Sequence, residues 1–211
     1  MKVLMLNGSP HKNGCTYTAL TEVEKALNEY DIETEIFWIS TKPLMSCIAC
    51  YKCRELGECT FDKDKVNEFV KKAYDADGFI FGSPVHYAAA TGAITSFLGR
   101  AFYSNSQSTG GEAFKHKPAA MVSSARRAGT TATYDQLNKF MGISQMPIIS
   151  SYYWNMVHGN TPGEVLQDEE GLYTMRQLGY NMAYFLKCIE AGREKGLKPK
   201  SLPKIATNFI R

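Results

Sequence analysis

The sequence predicts an α/β protein: a doubly wound, five-stranded parallel sheet in the order 2-1-3-4-5, with helices on both faces. Three observations predict it. Strand-like and helical runs alternate five times along the chain. The strand-like runs are apolar without alternation, which suits burial on both faces. Two of them stop in the same tripeptide, Gly8-Ser9-Pro10 and Gly82-Ser83-Pro84. In such a sheet strands one and three are neighbours whose connections leave in opposite directions, and ligands bind in the crevice at that switch point.

The elements follow in order. Val3-Leu4-Met5-Leu6 is a buried strand, stopped by Asn7, Gly8 and Pro10. A helix over Thr16 to Tyr30 places Leu20, Val23, Ala26, Leu27 and Tyr30 on one face. Thr34 to Ile39 is β-branched and aromatic and predicts strand two. Ser40 to Thr60 is a long connection, followed by an amphipathic helix over Asp62 to Tyr74 with Asp62 and Asp64 suited to capping its start. Strand three spans Gly78 to Phe81, and a helix spans Thr91 to Phe102. Residues 103–115 read as a polar loop, Lys117 to Ser123 as strand four, and Thr131 to Met141 as a helix. Pro147 to Ser151 is strand five, 152–167 an irregular aromatic insertion, and Asp168 to Gly192 a long closing helix.

No Gly/Ser/Pro-rich linker divides the 211 residues, so a single domain over 1–211 is expected, with a cysteine-rich insertion at 44–60 and the aromatic one at 152–167. The chain is 44% hydrophobic and 21% charged, which is ordinary globular composition. A net charge of +3 spread along the chain argues against nucleic acid or a membrane surface as partner. No apolar run approaches the ~18 residues of a membrane span, and the start lacks a secretion-signal pattern, so a cytoplasmic location is expected.

The first loop, Asn7 to Thr16, is rich in small hydrogen-bonding residues and opens a helix, so its N–H groups and the positive helix end form an anion site. It fits neither the Walker nor the dinucleotide pattern, because Gly8 and Gly14 are six apart and Cys15-Thr16 replaces Lys-Ser/Thr. Hydroxyls from Ser9, Thr16 and Thr18, with His11 and Lys12 as donors, suit one dianionic monophosphate. A Gly-rich first turn also arises in α/β proteins for geometric reasons alone.

Asn7 to Thr16, Phe81 to Gly92 and Ser123 to Gly129 together resemble the three FMN-binding loops of the flavodoxin-like NAD(P)H-dependent FMN reductase family. The spacing C-x2-C-x2-C-x5-C of Cys47, Cys50, Cys53 and Cys59 resembles the compact motif of its iron–sulfur flavoprotein branch. The resemblance implies that Ser9, His11, Cys15 and Thr16 hold the FMN phosphate, Cys15 through its backbone where many relatives have Asn. It implies that Pro84, Val85, His86 and Tyr87 run beside the isoalloxazine ring. Ser124, Ala125 and Arg126 would face its other edge, although many relatives have Gly at the Ala125 and Ala128 positions. The flavin supplies the hydride chemistry and the protein needs only to hold the ring and place donors near N1 and O2, so no catalytic acid–base pair is expected. Arg126 and Arg127 also read as solvated loop charges or as partners of an NADPH 2′-phosphate.

The four clustered cysteines leave three readings open. Thiolates at two-residue gaps with a fourth close by suit a [4Fe–4S] cluster. Structural zinc more often uses two separated C-x2-C pairs, and bare or oxidised thiols are the third reading. Cys188 reads as a core residue. The expected activity is hydride transfer from NADH or NADPH to bound FMN and onward to a flavin, quinone, nitro compound or redox protein. Loops 103–115 and 152–167 are the candidates for covering the ring. The rival is an electron carrier without nicotinamide activity, against which the +3 charge argues. The aromatic run Tyr152-Tyr153-Trp154 predicts a homodimer or dimer of dimers unless it folds over its own flavin or closes the core beneath the last helix.

Overall fold

The computed structural model describes residues 1–203, Ile205 and Thr207. The remaining C-terminal positions of the expected 1–211 domain lie outside the described residues. In chain order the elements are β1 (Lys2–Asn7), α1 (Cys15–Asn28), β2 (Glu33–Trp38), α2 (Cys53–Leu56), α3 (Val66–Asp75), β3 (Gly78–His86), β4 (Ala89–Ala90), α4 (Gly92–Thr109), β5 (Ala119–Ala125), α5 (Thr130–Ile143), β6 (Met156–His158), α6 (Pro162–Val165) and α7 (Glu169–Glu194).

The sheet runs β2-β1-β3-β5-β6, all parallel along this path, with β4 folded back antiparallel on β3. Because β4 is a two-residue hairpin arm, this is the doubly wound order expected from the sequence. Alternate residues of each strand feed two separate cores, as strand geometry requires. Leu4, Leu6, Phe79, Phe81 and Met121 pack with α3, α4 and α5, whereas Val3, Met5, Ile80 and Val122 pack with α1 and α7. That is why β1, β3 and β5 carry no polar alternation. On the first side Phe69, Phe79, Phe97, Phe102 and Phe114 form a contiguous ring cluster, with centroid separations such as 4.3 Å for Phe102 and Phe114.

Cys188, expected in the core, is exposed on α7, and three expectations about the elements also need correction. The fifth strand is not Pro147 to Ser151: only Ile148 forms a parallel bridge there, to Ala119, and the paired edge strand is Met156–His158, inside the expected irregular insertion. The edge is thus filled twice, first by N–H···O bonds between Ala119 and the 147–149 segment, then by Met156–His158 opposite Ser123–Ala125. Tyr152, Tyr153 and Trp154 are left exposed between them, while Asn155 is buried and accepts the Ser123 N–H. The 103–115 stretch is helical to Thr109, because Ser108 and Thr109 hydroxyls donate to carbonyls a turn earlier and do not break the helix. The α3 helix starts at Val66 with Lys65 at the N-cap position, so neither expected aspartate caps it; Asp64 instead accepts the Val66 N–H at 3.0 Å from one residue further out.

Candidate functional site

Three loops leave the carboxyl ends of β1, β3 and β5, at one edge of the sheet. Loops one and two interlock. The Gly8 N–H donates to Gly82 O at 2.8 Å, and a Cβ on Gly8 would sit 2.7 Å from Ile94 and 2.9 Å from that same oxygen. A Cβ on Gly82 would lie 2.8 Å from Cγ2 of Thr16. The repeated Gly-Ser-Pro is therefore a packing requirement at the switch point. Thr91, the N-cap of α4, fastens the pair by donating to Gly8 O at 3.2 Å.

Inside loop one, Asn7 acts as a template that the sequence reading missed. Its Oδ1 accepts the Ser9 N–H at 3.1 Å and its Nδ2 donates to Lys12 O at 2.9 Å. Trp38, at the end of β2, donates its Nε1–H to Ser9 O at 2.8 Å. The signal available for Asn7 was an Asn at a strand end, poised for an Asx turn; nothing local marked Trp38. Ser9 is buried and its Oγ accepts the His11 N–H at 3.1 Å, leaving its O–H to donate. The N-cap Gly14 has no side chain and none caps α1, so the first-turn N–H groups of Cys15, Thr16 and Tyr17 lack intrahelical acceptors. The Thr16 hydroxyl is buried against the Ser124 hydroxyl at 2.8 Å, joining loop one to loop three. Burial pushes the Cys15 thiol up, so it stays neutral, and it leans on Gly159 O at 3.7 Å. His11 and Lys12 are exposed at the rim, and Thr18 is spent on Gly14 O inside the helix.

Loop two is a hairpin. Val85 and His86 pair with Ala90 and Ala89, and the two turn residues Tyr87 and Ala88 both have positive φ, 50° and 56°. Left-handed Tyr and Ala cost energy that an Asn-Gly turn would avoid, a mark of a constrained tip. Tyr87 is fully exposed and His86 is exposed, while Pro84 and Val85 are half-buried. Loop three carries Ser124 and Ala125 buried and Arg126 and Arg127 exposed, and meets the hairpin at Gly129. The structure thus joins Thr16 to Ser124 directly, keeps Ser9 and Cys15 in the loop that carries Thr16, and sets the 84–87 hairpin against the end of the 124–129 turn.

The cysteine connection lies between β2 and α3. All six cysteines are free thiols, and Cys47, Cys50, Cys53 and Cys59 line one recess of about 320 Å³ including its open mouth. Ala49 and Tyr51, on either side of Cys50, have positive φ of 52° and 60°, which turns successive thiols toward the same space. Burial pushes the Cys53 thiol up, and the other three thiols add to the shift. Arg100 of α4 lines the recess and donates from Nε to Cys59 Sγ at 3.3 Å. The sequence reading missed it. Its only signal was a charged residue among Phe97, Leu98 and Ala101 on an otherwise apolar helix face.

Four thiols lining one recess beside a buried cation offer the all-sulfur donor set that a thiolate-held metal group such as an iron–sulfur cluster needs.

Fold and loops define the class: a flavodoxin-like α/β protein with an uncapped helix start at the switch point. The family described as NADPH-dependent FMN reductase matches residues 1–161, and the chain belongs to that family. It is 32% identical over 200 residues to an iron–sulfur flavoprotein of Methanocaldococcus jannaschii, covering 90% of this chain and all of that one. Among solved structures, RosB with a bound 8-demethyl-8-formylriboflavin-5′-phosphate superposes with a TM-score of 0.70 at 15% identity, covering 99% of this chain and 92% of that one. A flavodoxin from the domain Archaea superposes with a TM-score of 0.60 at 11% identity, covering 89% and 99%. Among the described residues no helix is long and apolar enough to cross a membrane.

Proposed function

We propose that this chain binds one FMN at the three-loop crevice, accepts a hydride from NADH or NADPH there, and passes electrons through a [4Fe–4S] cluster held by Cys47, Cys50, Cys53 and Cys59 to a small acceptor or redox protein. The observation that carries it is the coincidence in one chain of the uncapped α1 cradle and a single recess lined by four thiols. The two bound groups would supply hydride acceptance and one-electron transfer. The protein's residues do the rest. First-turn N–H groups of α1 and the Ser9 and Thr16 hydroxyls bind the phosphate. The Pro84–Tyr87 hairpin orients the ring from one side, and Ser124, Ala125 and Arg126 place donors at the other edge, where reduction builds negative charge. Exposed Arg126, Arg127 and Lys12 give the crevice a cationic rim suited to an anionic nicotinamide cofactor.

The assembly proposed is a homodimer or dimer of dimers. Tyr152, Tyr153 and Trp154 remain 67%, 50% and 47% exposed, and Tyr152 packs edge-on to the half-exposed Tyr173 of α7 at 5.5 Å. They do not close the core beneath the last helix.

Anaerobic mixing with NADPH or NADH tests the activity: the flavin band near ~450 nm should bleach within turnover time. Bleaching by dithionite but by neither nicotinamide would instead establish the electron carrier. Iron analysis of anaerobically prepared protein should return about four atoms per chain.

A further inference from the structure

Arg100 is only 1% exposed, and all of its donor nitrogens are engaged. Besides Cys59, Nη1 donates to the Asp64 carboxylate and, at 3.4 Å, to Met45 O, and Nη2 donates to Phe61 O at 2.6 Å, with the Phe61 ring 5.2 Å away. Met45 precedes the first clustered cysteine; Phe61 and Asp64 follow the last. The guanidinium thus gathers both ends of the cysteine segment onto α4 and keeps one N–H on a ligand sulfur. A buried cation is costly unless paired, and fastening a loop requires neither a charge nor a donor aimed at sulfur.

We infer that Arg100 is a positioning residue that raises the reduction potential of the group held by Cys47, Cys50, Cys53 and Cys59, by hydrogen-bonding the Cys59 sulfur and placing a fixed positive charge on the recess wall. The inference rests on the cluster reading above. One-electron reduction adds one negative charge to a thiolate-bound cluster, and an N–H donor with a neighbouring cation favours the more negative state. Asp64 acts in the opposite sense, because its carboxylate partly cancels the guanidinium. The two residues therefore have opposite effects on the potential but similar effects on loop anchoring.

The test is a potentiometric titration of the full-length, anaerobically purified protein with dithionite as electron donor, followed by the spin-resonance signal of the reduced cluster, with FMN and iron content measured on every sample. Arg100→Met should lower the cluster's electron affinity at least tenfold, which is about 59 mV for a one-electron couple. Arg100→Lys, which keeps the charge but not the fork, should restore part of that shift. Asp64→Asn retains the oxygen that accepts the Val66 N–H and should shift the potential upward. Iron-loaded wild type with both variants unmoved, or moved in the same direction, would overturn the Arg100 assignment alone. Wild type lacking iron would overturn the cluster reading and this inference together. If Arg100→Met does not fold, Asp64→Asn decides: no upward shift refutes the inference.

Discussion

Gly129 offers a sharp probe of whether loops two and three form one binding surface. It stands at φ 96° where α5 begins, and a Cβ there would lie 2.6 Å from Cα of Ala88 and 2.7 Å from Cγ1 of Val85. The first contact is with backbone, so relief requires the hairpin carrying Tyr87 to move. Gly129→Ala meets a left-handed backbone penalty of about 1–2 kcal/mol and an overpacking penalty of about 1–3 kcal/mol, together roughly 2–5 kcal/mol. Gly110, after α4, is the control: its φ is 72°, and a Cβ would meet nothing within 4 Å. Gly110→Ala therefore carries only the backbone penalty of about 1–2 kcal/mol. Urea unfolding of the apo-proteins separates the stabilities, and FMN titration under conditions where both variants are folded reads the site. We expect FMN affinity to fall about tenfold or more in Gly129→Ala and to hold in Gly110→Ala. Equal affinities in the two variants would refute the reasoning that the hairpin and the 124–129 turn clasp one ligand.

Thr16→Val keeps the methyl that packs on Gly82 but removes the hydroxyl shared with Ser124, so FMN should bind more weakly by about 1.5–3 kcal/mol, and unchanged affinity in a fluorescence titration would remove Thr16 from the phosphate site. Cys53→Ala should lose iron on metal analysis while retaining FMN, because the flavin loops belong to other connections; loss of both would contradict the separation of the two sites. Burial alone would raise the Glu22 carboxyl, but hydrogen bonds from Lys25 and Arg176 outweigh it and hold it below the usual carboxylate range. Its stabilisation is therefore present above the unfolded value of about 4.3 and lost as pH falls through the lower folded one. Arg176→Ala should then cost no more than about 1 kcal/mol at pH 7, since the guanidinium is half-exposed, and a penalty that did not shrink on acidification in urea melts would refute the pairing. Light scattering on wild type and Trp154→Ala should show a dimer or tetramer weakened by the substitution, and a monomeric wild type with full activity would rule out the interface.

The sequence made the sheet legible because burial on both faces leaves a signature in every strand: Val3 to Leu6 and Gly78 to Phe81 admit no polar residue. It failed at the edge, where burial is one-sided and competing segments are short. Pro147 to Ser151 has the β-branched composition of a strand, yet its pairing stops after a single bridge. Met156–His158 wins the partnership with Ser123–Ala125, although the aromatic run before it disguised the strand. The polar residues of 103–109 misled in the opposite way, since Ser108 and Thr109 satisfy themselves within the helix and leave its backbone intact.

The site divides along the same physical line. The cradle was readable because its determinants are local: a strand end, a glycine at the helix start, and hydroxyls within a few residues of both. The cysteines were readable because four ligands crowd into one segment. What encloses each site was not readable, because it comes from distant parts of the chain. Arg100 reaches partners 36, 39, 41 and 55 residues away, and Trp38 fixes a carbonyl 29 residues before it. Trp38 also accepts, at its own carbonyl, the Lys65 Nζ–H at 3.1 Å, and Lys65 adjoins the Asp64 that pairs with Arg100. One continuous set of hydrogen bonds and a single peptide step therefore joins the Ser9 turn to the Cys59 sulfur. The residues that link the two regions carry no motif, so sequence reading finds each region but not the connection between them.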